Sequence, residues 1–233
     1  MKAVWLIVAA ALVISCGKSA EHVKAAGKPT LPSGWSVADD AQDGITLGVA
    51  PGWREGADTG LDPMEMAQGV AGDASQPSMD PDSPAGKLQA DIQKQNAADE
   101  KEALANLRAK GVVIQIIDSS KPIPGEARTR YYVKKVDHGG NYALDAAKND
   151  EIDFLGGSAE SSAKKVELPI GPAYRFEIES KTRGGDELAR ISFVVVDGSN
   201  SYSLRFIATN NSQAIQSIAD SVAHTWRITP GKS

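Results

Sequence analysis

Cysteine occurs once in this chain, as Cys16 of 233 residues, so no disulfide closes within it and the fold must hold without staples. Histidine is scarce too: His22, His138 and His224 are the whole supply, and none stands in a catalytic signature. There is no G-x-S-x-G, phosphate loop, dinucleotide fingerprint or H-E-x-x-H. Gly156-Gly157-Ser158 lacks the x-Gly that would complete a nucleophile elbow. A bilayer-spanning run is missing, since the apolar segment at residues 3–14 (AVWLIVAAALVI) is too short to cross. An excess of basic charge is missing as well. The 25 Lys and Arg are interspersed with 30 Asp and Glu for a net charge of -5, which argues against nucleic acid or an anionic lipid surface as the main partner.

These absences leave one site idea in the folded part. Asp137-His138 precedes Asp145, Asp150, Glu151 and Asp153, and converging oxygen ligands there could take a hard cation. The spacing fits no EF-hand loop and an acidic solvated face is the expected reading, so no metal, cofactor or catalytic residue is assigned.

What is present begins at the N-terminus. Lys2 and the apolar run form an export signal, and Val13-Ile14-Ser15 leads directly into Cys16. That junction resembles the lipobox of bacterial lipoproteins. The resemblance implies a signal peptide over 1–15, a diacylglycerol on the Cys16 sulfur and a membrane-anchored mature chain. Acyl burial at about 0.8 kcal/mol per methylene makes two or three chains a stable anchor. Gly17 is not the aspartate that holds enterobacterial lipoproteins at the inner membrane, so outer-membrane placement facing the periplasm is expected. Residues 16–33 read as a flexible tether reaching roughly 20 to 25 Å, with His22 solvated.

Residues 34–229 are expected to form one domain. Ile45-Thr46-Leu47-Gly48-Val49 predicts a strand that ends at the Pro51-Gly52-Trp53 turn. A polar, mobile insertion is expected over about 54–83, its AGDASQPSMDPD stretch (71–82) dispensable to the fold. Ser83-Pro84 and Gly111 bracket a helix over 84–110, followed by a strand over 112–117, a strand over 128–136 and a short helix over 141–149.

The last third is a predicted three-strand meander and helix. Alternation aims Tyr174, Phe176 and Ile178 at one core, and a two-residue Gly184-Gly185 turn sets Ile178 opposite Ile191, Phe176 opposite Phe193 and Glu179 opposite Arg190. The turn after Asp197 sets Val196 against Ser201 and Phe193 against Leu204; a slip would bury Arg190 and Arg205. Residues 211–227 read as one helix packing Ala214, Ile215, Ile218, Ala219, Val222 and Trp226 on the sheet, with His224 solvated.

This order, with the Pro51-Gly52-Trp53 turn, the Leu168-Pro169-Ile170-Gly171-Pro172 entry to the meander and the closing Ser217 to Val222 helix, resembles the PsbP and Mog-like family, which includes DcrB-like envelope lipoproteins. The resemblance implies an α+β fold, an antiparallel sheet with helices packed on it as an α/β/α sandwich. It also implies a binding or assembly protein that is not an enzyme, with an envelope protein as partner. The alternative is a hydrolase or metal-dependent enzyme whose site is assembled from distant residues.

Overall fold

The computed structural model describes residues 27–57, 83–119, 129–182 and 184–229. Cys16 and His22, the signal and most of the tether, and most of the 54–83 insertion with its 71–82 stretch lie outside the described residues. The fold is α+β, and every strand pairing described is antiparallel. Strands β1 (Ser36–Asp40), β2 (Ile45–Val49) and the two-residue β10 (Arg227–Ile228) make a small sheet in the order β1-β2-β10. The larger sheet has seven strands in the order β3-β4-β5-β9-β8-β7-β6. These are β3 (Trp53–Glu55), β4 (Val112–Asp118), β5 (Arg130–Asp137), β6 (Lys164–Leu168), β7 (Gly171–Lys181), β8 (Glu187–Asp197) and β9 (Asn200–Thr209). Helices are α1 (Pro84–Ala109), α2 (Leu144–Leu155), α3 (Ser212–Gln216) and α4 (Ala219–Thr225).

Both faces of the large sheet are covered. One face carries Ile114, Ile116, Tyr131, Val133, Ile191, Phe193, Leu204 and Phe206 against Leu47, Ile215, Val222 and Trp226 of the small sheet and the C-terminal segment. The other carries Phe176, Ile178, Val194 and Val196 against Leu144, Ala147 and Leu155 of α2 and Ala159 of the following 3-10 turn, Gly157–Ser162. The central strands β8 and β9 are buried on both faces, which explains why burial along them does not alternate.

This double burial overturns part of the expected meander. The β8–β9 register is as predicted, with Val196 opposite Ser201 and Phe193 opposite Leu204 across a two-residue turn in which Gly198 takes φ 60°. The β7–β8 register is shifted by one: Ile178 lies opposite Arg190, Phe176 opposite Ser192 and Glu179 opposite Ala189. The loop is longer than two residues. Thr182 N–H donates to Asp186 O at 2.8 Å, Gly185 takes the left-handed conformation (φ 95°), and the Asp186 N–H is tied to Thr182 Oγ1 at 3.1 Å. The shift sends Phe176 and Phe193 to opposite cores.

Three smaller corrections have local causes. Arg54 and Glu55 belong to β3, paired with Ile117 and Ile116, so the insertion starts later than expected. Helix α2 runs on to Leu155, because Leu144, Ala147, Glu151 and Leu155 form one buried stripe. The segment after Asn211 is two helices, with Ser217 Oγ bonding the Ala214 carbonyl at 3.1 Å where they break. It ends at Thr225, leaving Trp226 fully buried but outside the helix.

Candidate functional site

The acidic set is the expected solvated face except at one member: Asp137, Asp145, Asp150 and Asp153 are exposed, and Glu151 is not. Tyr174 donates to Asp145 at 2.6 Å. The Tyr142 hydroxyl donates to Asp150, and that bond, with some desolvation, pushes its pKa up to about 12. Glu151 points the other way, into the α2 core, at 1 % exposure. Among the described residues no three His, Cys, Asp or Glu side chains converge in metal-holding geometry.

His138 stacks on the Tyr142 ring at 3.5 Å between centroids, and its Nε2 lies 2.9 Å from Ser201 Oγ. A Ser–His pair at that distance has the spacing of a nucleophile and its base, but Ser201 is only 7 % exposed. Asp137, which would be the nearest candidate to orient the ring, accepts from the Gly139 N–H instead. His224 is exposed, with Nδ1 2.7 Å from the Asp220 carbonyl oxygen, as expected of a solvated surface histidine.

Nothing in the sequence separates Glu151 from the other members of that acidic set. It accepts from Ser192 Oγ at 2.7 Å, Ser203 Oγ at 3.0 Å and the Arg205 guanidinium at 2.6 to 3.2 Å. Phe154 lies over that guanidinium at 3.6 Å. Every neighbour donates, so the arrangement neutralises two buried charges and pins α2 to β8 and β9. It leaves no vacant position for a ligand; its role is architectural.

An open arrangement exists at the C-terminal end of α1. A cleft of about 210 Å3 is lined by Asp40, Glu55, Leu104, Ala105, Leu107, Arg108, Val112, Val113 and Gln115. It lies where β3 stops at Glu55 and leaves the start of β4 without that neighbour. Gly111 makes the turn from helix to strand at φ 84°, and a Cβ there would come within 2.6 Å of the Lys135 carbonyl oxygen, so glycine is required on both counts.

The rim of the cleft is charged and mostly paired. Arg108 reaches Asp40 at 2.6 Å and Asp43 at 2.8 Å, and Lys135 reaches Asp43 at 3.0 Å. Burial pushes the Asp40 carboxyl up, but the Arg108 hydrogen bond and charge and the Asp43 and Gln42 N–H groups outweigh it and hold the pKa below the usual value. Arg54 pairs with Glu100 at 2.9 Å. Glu55 has no ion pair or side-chain hydrogen bond among the described residues. Although the residue is exposed overall, desolvation of its carboxyl and then the Asp40 charge raise its pKa. Apolar walls with one unmatched carboxylate suit recognition of a ligand more than chemistry upon it.

A second depression, of about 280 Å3, lies at the β7–β8 hairpin end among Glu179, Ser180, Lys181, Glu187, Leu188, Ala189 and Ser212. It is larger but more polar, since only Leu188 and Ala189 of its lining are apolar, against Leu104, Ala105, Leu107, Val112 and Val113 at the α1–β4 cleft.

Comparison with known proteins finds no matching family model and no matching curated protein. Among solved structures the chain is similar to a crystal structure from Bacteroides thetaiotaomicron, at 9 % identity and TM-score 0.42, over 82 % of this chain and 47 % of that one. This chain therefore spans about half of that protein's length. It is also similar to the solution structure of cyanobacterial PsbP from Synechocystis, at 10 % identity and TM-score 0.36, over 83 % of this chain and 92 % of that one. Both superpositions are loose and say nothing about ligand or activity.

Proposed function

We propose that this chain is an envelope lipoprotein, anchored through Cys16 at the outer membrane and facing the periplasm, that acts as a binding or assembly module and not as a catalyst. The observation that carries the second half is the α1–β4 cleft, where apolar walls meet a rim whose acids and bases are, among the described residues, ion-paired except Glu55. Such a place can hold a partner, but it offers no nucleophile beside a base. The Val13-Ile14-Ser15-Cys16 junction supports the anchor. The resemblance of element order to PsbP and Mog-like domains, including the DcrB-like lipoproteins, supports a binding role.

Two measurements test the reading. Detergent-phase partitioning of the native chain should be lost in Cys16→Ser, and a variant that still partitions would remove the anchor. Cross-linking in native membranes should join the chain to a discrete protein partner; a chain that cross-links to nothing would remove the assembly role. The Ser201–His138 contact gives the competing hydrolase reading one specific foothold. Esterase activity abolished by Ser201→Ala would establish that reading instead.

A further inference from the structure

We propose that the α1–β4 cleft is a receptor for a single lysine or arginine side chain presented by a partner protein. The inference rests on the binding-module reading and names the chemistry of its site. A cleft of about 210 Å3 falls below the roughly 300 to 1,000 Å3 of pockets for drug-sized ligands, so it suits one side chain. Its walls are Leu104, Leu107, Val112 and Val113, and Leu104 is still 36 % exposed. A straight methylene stem is the part of Lys and Arg that covers such apolar surface while its charged head stays at a polar end. The polar end is Glu55, beside Gln115, which also lines the cleft and is 5 % exposed.

Charge sets the sign of the ligand. Asp40 and Asp43 are matched by Arg108 and Lys135, and Glu100 by Arg54, which among the described residues leaves the Glu55 carboxylate as the unmatched charge of this rim. A cation placed there gains a charge-assisted contact without breaking an existing pair, whereas an anion would meet Glu55 directly. Arg108 lines the same cleft, but two carboxylates already hold its guanidinium, so it does not repel a second cation strongly.

The test is an amide NMR titration of the full-length chain in detergent with pentylammonium, and with pentanol and pentanoate as neutral and anionic matches. Pentylammonium should saturate shifts at Glu55, Leu104, Leu107, Val112 and Val113. Glu55→Gln should weaken it by about tenfold, the order expected for one charge-assisted contact. Glu55→Lys should abolish it and admit pentanoate. Pentanol binding equal to the amine, unaltered amine binding in Glu55→Gln, or amine shifts scattered over the acidic surface would each overturn the assignment. If the amine fails while membrane cross-linking still captures a partner, the cleft falls and the assembly role stands. If the amine saturates the cleft while cross-linking captures nothing, the assembly role falls and the protein partner with it, and the cleft is left as a site for a free cation.

Discussion

The two faces of the seven-stranded sheet solve the same burial problem with different chemistry. Toward the small sheet, Ile114, Ile116, Val133, Ile191, Phe193, Leu204 and Phe206 are apolar, and the fully buried Tyr131 donates a hydrogen bond from its hydroxyl to the Gly48 carbonyl at 2.9 Å. Toward α2, Ser192, Ser203 and Arg205 sit among Phe176, Val194 and Val196, and Glu151 accepts from all three polar side chains. The apolar face is held by area, which is graded and forgiving of small losses. The α2 face contains a network that is complete or costly, because removing one charge leaves the other buried and unpaired.

The largest expected effects form a matched pair across the sheet. Arg205→Met should cost about 3 to 5 kcal/mol in urea unfolding, because Glu151 keeps its place with its cation gone. Adding Glu151→Leu should recover most of that loss, since a well-packed apolar replacement of a buried pair is often close to neutral. Phe193→Ala should also cost about 3 to 5 kcal/mol by opening a cavity, but Phe193→Leu should cost under about 1.5 kcal/mol. A single Arg205→Met loss below 1 kcal/mol, or a double variant no better than the single, would erase the contrast between the faces. A loss below 1 kcal/mol for Phe193→Ala would show that the apolar face is packed otherwise.

The sequence made one face legible and hid the other. The β8–β9 register could be read because a two-residue turn and matched apolar residues at 191, 193, 204 and 206 agree. The β7–β8 register misled because strict alternation at Tyr174, Phe176 and Ile178 identifies a buried face but not which of two cores it faces. Arg205 is buried without any slip of β8 against β9, because the reverse face of that predicted register meets a second core in place of solvent. Its counter-charge is Glu151, 54 residues away, which no local pattern marks as the partner. Helix α1 and the Gly111 stop were readable from Pro84 and glycine alone. The cleft was not, because it forms where a three-residue strand runs out beside a helix end, and such an edge has no sequence signature.

A smaller effect is expected at Trp226, which is fully buried while its indole N–H has no acceptor among the described residues. Trp226→Phe removes ring volume but also an unmet donor, and the two terms oppose each other. The net change should stay within about 1 to 1.5 kcal/mol by urea unfolding, against about 3 to 5 for Trp226→Ala. A Phe variant as damaging as the Ala variant would mean that the N–H has a partner after all.

The smallest and most diagnostic effect is pH dependence at the cleft, where two carboxylates move in opposite directions. Asp40 has its pKa lowered in the fold, so its contribution is present above the ordinary aspartate value of about 3.9 and fades as pH falls through the lowered value. Arg108→Gln should remove that contribution, under about 1 kcal/mol because Arg108 is 38 % exposed, and the loss should vanish in strong acid. Glu55 has its pKa raised, so the native state binds the extra proton and stability declines as pH rises from about 4.3 through the raised value. Glu55→Gln should therefore flatten that decline and leave the chain slightly more stable at neutral pH. Urea midpoints between pH 3 and 7 decide the matter. A midpoint at pH 7 that drops in Glu55→Gln would mean the carboxylate has a stabilising partner. A rise would identify a charge that costs stability in the free chain, which is what a site awaiting a cation should do.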